Sequence, residues 1–170
     1  MSAALDEYDA LVAKVDAAVA HIAEARRRDL ACRAGCDGCC RVELSVSEVE
    51  AASIRRHLAT LADDERRALG AWARLPARGG PRCAFLDEEG RCGVYAARPL
   101  VCRTQGLPLR YPDGVGWCSL NFTARLPAPA DFLDAGRVDE LLALVNHRHA
   151  VENGRDPLAR VALRDLATAP

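Results

Sequence analysis

The chain has 170 residues, half of them hydrophobic, and its 23 basic and 24 acidic side chains leave a formal net charge of −1. That length suits one domain with its own core better than two. The balanced charge argues against the bulk attraction that draws basic proteins to nucleic acid or anionic membranes.

Residues 4–28 read as an amphipathic helix, because Leu5, Tyr8, Leu11, Val12, Val15, Val19 and Ile22 recur at three- and four-residue steps. Asp6, Glu7 and Asp9 lead it and Arg26, Arg27 and Arg28 close it, in keeping with the helix dipole. The arginine run reads as a solvated helix end. Acids stand where a secretory signal needs a basic start, and no run approaches the roughly 20 apolar residues that span a bilayer. The expected compartment is the cytoplasm, and no membrane or nucleic-acid partner is expected. In the cytoplasm clustered thiols bind metals or do redox chemistry more often than they pair as disulfides.

The next stretch, "ACRAGCDGCCR", holds Cys32, Cys36, Cys39 and Cys40 within nine positions. Cys39 and Cys40 would point apart in an extended chain. They serve two centres, or one binds while the other packs. A helix follows to about Leu61, with Ser45–Glu48 or Ser47–Glu50 as its capping box. A further helix runs to about Leu75, and "PARGGPR" breaks the chain at 76–82.

"CAFLDEEGRCGVYAARPLVCR" carries the second cysteine group. Cys83–Leu86 and Arg91–Tyr95 read as short strands around a turn at Asp87–Gly90. Phe85 is expected opposite Cys92, which puts Cys83 and Cys92 on one face, within reach of a common centre. Pro99 suits the first turn of a helix, placing Cys102 and Arg103 near an N-terminus that favours thiolate. A second hairpin around Pro112–Gly116 brings Cys118 onto its return strand. "RVDELLALVNHRHAVENG" is a helix ending at Gly154, and Asp156 with Pro157 opens a final one.

Eight cysteines in a tight set and a spread set are soft ligands for zinc or iron–sulfur chemistry. Cys32, Cys36 and Cys39 have the C-x3-C-x2-C spacing of radical S-adenosylmethionine enzymes, but no alternation of strands and helices follows to build their barrel. Arg98 and Arg103 stand close enough to cysteines to offset the charge of a thiolate centre and are candidate cofactor-binding residues; Arg41 reads as a surface ion pair. His147 and His149 form H-x-H, which on a helix faces two directions, and His149 shares a face with Leu142 and Val145. His21 and His57 are expected to be exposed. Trp117 and Tyr95 are expected in core packing beside their cysteines. No nucleotide loop, G-x-S-x-G elbow or H-E-x-x-H pair is present.

Taken in order, "CRAGCDGCCR", "LSVSEVE" and "CAFLDEEGRCGVYAARPLVCR" resemble the YkgJ-type cysteine-cluster family, the CxxCxxCC zinc- or iron-chelating domain. The resemblance covers about residues 30–122. It implies Cys32, Cys36, Cys39, Cys40, Cys83, Cys92 and Cys102 as metal ligands, with Cys118 an eighth. A related cluster occurs in flagellin lysine N-methylases, which are considerably longer, so their activity does not transfer.

The expected fold is α+β and mainly helical, one domain over 1–170 with helices around the cysteine loop and a small β-hairpin. The expected function is cytoplasmic metal binding: iron, as an iron–sulfur cluster, or zinc. The alternatives are an enzyme with an open iron or iron–sulfur site, and a structural zinc domain that presents its helices to a protein partner.

Overall fold

The computed structural model describes residues 2–76 and 79–169. It is α+β and mainly helical. Ala77 and Arg78, in the expected break at 76–82, lie outside the described residues.

The helices are α1 (Ala3–Ala25), α2 (Glu48–Leu58), α3 (Asp63–Arg74), α4 (Leu100–Thr104), α5 (Ala135–Glu152) and α6 (Leu163–Thr168). The strands are β1 (Ser45–Val46), β2 (Leu109–Tyr111), β3 (Gly114–Gly116), β4 (Leu133–Asp134) and β5 (Val161–Ala162). β1 pairs antiparallel with β5, while β2 lies between antiparallel β3 and parallel β4.

The apolar stripe of α1 does what its spacing predicts. Leu5, Tyr8, Leu11 and Val15 are buried with Val49 of α2, Leu100 of α4 and Val145 of α5. A second cluster joins Ile54, Ala73, Phe85, Leu86, Val94 and Leu166, so α2, α3 and α6 close over the segment that carries Cys83 and Cys92.

Arg26 is not a solvated helix end. Its Nε lies 2.6 Å from Asp131, which is buried, and the pair ties the end of α1 to the approach to β4. Of the two capping boxes, Ser47–Glu50 forms: Glu50 Oε2 accepts from the Ser47 backbone N–H at 3.0 Å and hydroxyl at 2.8 Å.

The final helix begins later than its Asp-Pro start signal. Asp156 caps only a local turn, accepting from the Leu158 N–H at 2.8 Å. Val161 and Ala162 pair with Val46 and Ser45, so helix begins at Leu163.

Candidate metal centre

The stretch from Cys32 to Cys40 is folded, not extended. A turn closes from Cys36 N–H to Arg33 O at 3.0 Å, with Gly35 at φ +83°. A 3-10 turn over Gly38–Cys40 follows, tightened by the Cys40 N–H on Asp37 O at 2.8 Å. Arg41 pairs with Asp37 at the surface, 2.6 Å away. In this tight turn the thiols of Cys39 and Cys40 act on each other electrostatically. The extended chain in which they would point apart is not formed here.

One backbone bond joins the two cysteine groups: the Cys83 N–H donates to Cys40 O at 2.8 Å. Cys83 is buried, Cys40, Cys92 and Cys102 are half-buried, and Cys39 is exposed. These five thiols act on one another electrostatically. Burial pushes Cys40 up to about 12, helped by Cys39, Cys83 and Cys102. Burial likewise pushes Cys102 up to about 12, with Cys83, Cys92, Cys39 and Glu50 adding to it. Burial thus opposes at Cys102 the thiolate that a helix N-terminus favours, and α4, with five residues, has only a weak dipole. Burial also raises Cys83 and Cys92, opposed at Cys83 by the Phe85 N–H, Arg82 and Arg164, and at Cys92 by the Val94 N–H and Arg98.

The segment between Cys83 and Cys92 turns more tightly than its pattern suggests. Leu86, not Phe85, stands opposite Cys92, and the pairing is a single bridge instead of two strands. The cause is local. The Asp87 carboxylate accepts from the Arg91 N–H at 2.7 Å, and Gly90 takes φ +73°, closing a three-residue loop. Cys83 and Cys92 still come close, because the Leu86 N–H bonds back to Cys83 O at 3.1 Å.

Cys102 is positioned from α2. Glu50 Oε1 accepts from the Leu100 N–H at 3.1 Å, and Glu50 is 3 % exposed. Pro99 caps α4 from outside its first turn.

Arg98 stacks over the Tyr95 ring at 3.9 Å, and its Nε is buried without a hydrogen-bond partner among the described residues. A guanidinium acting on Cys92 with a spare N–H suits an anionic sulfur centre. Arg103 is occupied elsewhere. Its Nη1 pairs with Asp16 at 2.6 Å, and Nε and Nη2 donate to Arg98 O and Ala96 O. It clamps the 95–100 turn. Tyr95 is 64 % exposed, so it is not a core residue; Trp117 packs edge-on against Phe132 at 6.1 Å.

Cys32 and Cys118 both lie against Gly106. A Cβ on Gly106 would lie 3.0 Å from Cys32 Sγ and 3.8 Å from Cys118 Cβ, and the glycine has φ +92°. Buried Asn121 organises this point: Nδ2 donates to Gly106 O at 2.7 Å and to Cys32 Sγ at 3.5 Å, while Oδ1 accepts from the Ala31 N–H at 2.8 Å. Cys118 lies two residues past the end of β3, off the return strand on which it was expected. Cys36 is exposed in its own turn.

His147 is exposed, and His149 is buried in α5 with Nδ1 unpartnered among the described residues. His21 is exposed as expected. His57 is not: it is half-buried, in a cavity it shares with Asp9, Arg56 and Arg103. Among the described residues, no group of three His, Cys, Asp or Glu side chains is already arranged to hold a metal ion.

A family model described as "CxxCxxCC: Putative zinc- or iron-chelating domain" matches residues 31–118. The chain belongs to the CxxCxxCC family. The match begins just before Cys32 and ends on Cys118, so all eight cysteines fall within the CxxCxxCC domain. No curated protein and no solved structure shows a significant match to the chain.

Sequence reasoning missed three residues beside the cysteines. Glu50 was visible as half of a capping box, but its second bond to Leu100 was not. Arg82, 5 % exposed beside Cys83 and stacked on Trp72 at 4.3 Å, gave no signal. Neither did Asn121.

Proposed function

We propose that this protein is a cytoplasmic metal-binding domain whose inner centre is held by Cys40, Cys83, Cys92 and Cys102. Cys39 stands at its mouth, and Cys32, Cys36 and Cys118 form an outer set. Membership of a zinc- or iron-chelating family supports metal binding. The observation that carries the inner set is the Cys83 N–H to Cys40 O bond, which draws both cysteine groups into one neighbourhood.

The metal is iron, held as an iron–sulfur cluster, with zinc the alternative. The thiol-only inventory suits both; the C-x3-C-x2-C spacing that favours a cluster belongs to Cys39 at the mouth and to the outer Cys32 and Cys36, which feed the same neighbourhood. When bound, such a centre supplies either electron transfer (iron–sulfur) or a fixed structural cross-link (zinc). The chain's own part is to gather and shield the thiols. Arg98 offers a spare N–H and a positive charge to the bound sulfurs. Arg103 holds the turn that carries Arg98. No described helix is long and apolar enough to cross a membrane.

A second reading, an enzyme with an open centre, draws on exposed Cys39 beside half-buried Cys40, where a ligand position can exchange.

Anaerobic purification with elemental analysis and a visible spectrum tests the assignment. Brown protein absorbing at about 400 nm with matching iron and sulfide is the expected result. Colourless protein with stoichiometric zinc sinks the cluster, and metal-free protein with native disulfides sinks metal binding altogether.

A further inference from the structure

A cavity of about 650 Å³ opens between α3 and the turn that joins Cys83 to Cys92. Its apolar floor is Leu61, Leu69, Trp72, Leu75 and Phe85. Leu69 and Trp72 stand one helical step apart on one side of α3, whose 12 residues make a wall about 18 Å long, and Leu75 follows at its C-cap.

The floor is held from several directions. The Trp72 indole N–H donates to Leu86 O at 2.5 Å, and Arg82 covers its ring. Gly93 lets Leu69 close against the turn: a Cβ there would stand 2.5 Å from Leu69 Cδ2. Leu75 is nevertheless 50 % exposed.

The rim has one sign of charge. Glu65, Asp87, Glu88 and Glu89 line the cavity, and no arginine, lysine or histidine does so among the described residues. Arg91, outside the lining, offsets one charge by bridging Asp87 and Glu89 at 3.1 and 2.9 Å. An apolar slot with an excess of carboxylates attracts a ligand that is apolar at its centre and cationic at its edges. The volume accommodates a few side chains, as ligand-sized sites do, and not the face of a second folded copy.

We propose that this groove docks a short segment of a partner protein, an apolar anchor flanked by arginine or lysine. The occupant would press on Gly93, next to Cys92, over buried Phe85, which lies between Cys83 and Cys92, so docking would bear on the cysteine segment directly. The inference does not depend on which metal, if any, the thiols hold.

The test selects a random-sequence peptide display library on the full chain and measures the enriched peptides by Trp72 fluorescence in a Trp117→Phe background. Enriched sequences are expected to share an apolar residue flanked by arginine or lysine and to shift Trp72 emission saturably. Affinity is expected to fall about tenfold in a Glu88→Lys/Glu89→Lys variant and to weaken with added salt. Both glutamates are exposed, so the variant keeps its core. No enrichment, enriched peptides without basic residues, or binding that leaves Trp72 unchanged overturns the proposal. A concentration-dependent dimer that buries Trp72 also overturns it, because a second copy then fills the groove.

Discussion

Glu50 and Leu100 are joined across fifty residues of sequence by one buried bond, carboxylate Oε1 to backbone N–H at 3.1 Å. The other oxygen of the same carboxylate completes the capping box of α2. One side chain therefore starts two helices, and the second of them carries Cys102. Glu50→Ala removes a cap and leaves buried donors unpaired, at a cost of about 2–4 kcal/mol. Urea melts and metal content should fall together. Full metal loading in a destabilised variant would show that Cys102 does not need this support.

Replacing Cys83 or Cys92 by serine should lower metal content and melting temperature together. Cys36→Ser, in an exposed turn, should lower them much less. The melting loss for either inner variant should be several degrees, since about 1 kcal/mol shifts a chain of this size by ~2–4 °C. Equal loading in all three would dissolve the distinction between inner and outer thiols. His147→Ala, on the exposed side of α5, should change neither quantity.

Arg98 and Arg103 should separate in their effects. Arg103→Gln loses an ion pair between a buried guanidinium and the exposed Asp16 carboxylate and disturbs contacts with two carbonyls. Its stability should fall by about 2–4 kcal/mol. Arg98→Gln removes the buried, unpartnered Nε. It should leave the denaturant midpoint nearly unchanged and alter the reduction potential or the metal off-rate. Identical profiles for the two variants would refute this division.

Acid stability should depend on Asp131. Burial pushes its carboxyl up, but the Arg26 guanidinium and the Ala128 N–H outweigh this and hold it below the usual carboxylate range. The folded state thus binds the proton less readily than the unfolded chain. The stabilisation is fully present above the ordinary carboxylate value, about 3.9, and is lost as pH falls through the lower folded value. Asp131→Asn should lower stability at neutral pH by about 1–3 kcal/mol and flatten the acid limb of the stability–pH curve. An unchanged acid limb would place the acid sensitivity elsewhere.

Gly106→Ala probes the outer thiols. The position has φ +92°, and the added methyl would crowd Cys32 Sγ at 3.0 Å. Strain of about 1–2 kcal/mol is expected, with faster alkylation of Cys32 as its sulfur is displaced from Asn121. Peptide mapping after brief iodoacetamide treatment reads this directly.

Features written in local pattern were legible from the residues. The stripe of α1 and the Ser47–Glu50 box rest on spacings of three and four, and both form. The resemblance carried by "CRAGCDGCCR" and the Arg-Pro-x-x-Cys-Arg segment led to the right family. The turn after Cys83 slipped by one residue because the Asp87 carboxylate and Gly90 set the loop length, which alternation alone does not encode. The final helix started late because Val161 and Ala162 were claimed by β1, more than a hundred residues upstream. Glu50 to Leu100, Arg103 to Asp16 and Asn121 to Cys32 are all distant pairings, and no window of sequence displays them. Desolvation of Cys102 was hidden for the same reason, since it depends on what folds over α4.

The pairing of β1 with β5 bears on how this chain matures. Ser45 and Val46 follow the cysteine loop, yet their partners Ala162 and Val161 are made more than a hundred residues later. Leu44 O waits for the Leu163 N–H, and Glu43 for Arg164. During translation the four N-terminal thiols therefore emerge long before the strand that fastens their downstream edge. A nascent chain is most open to scavenging metal, or to oxidation, in that interval.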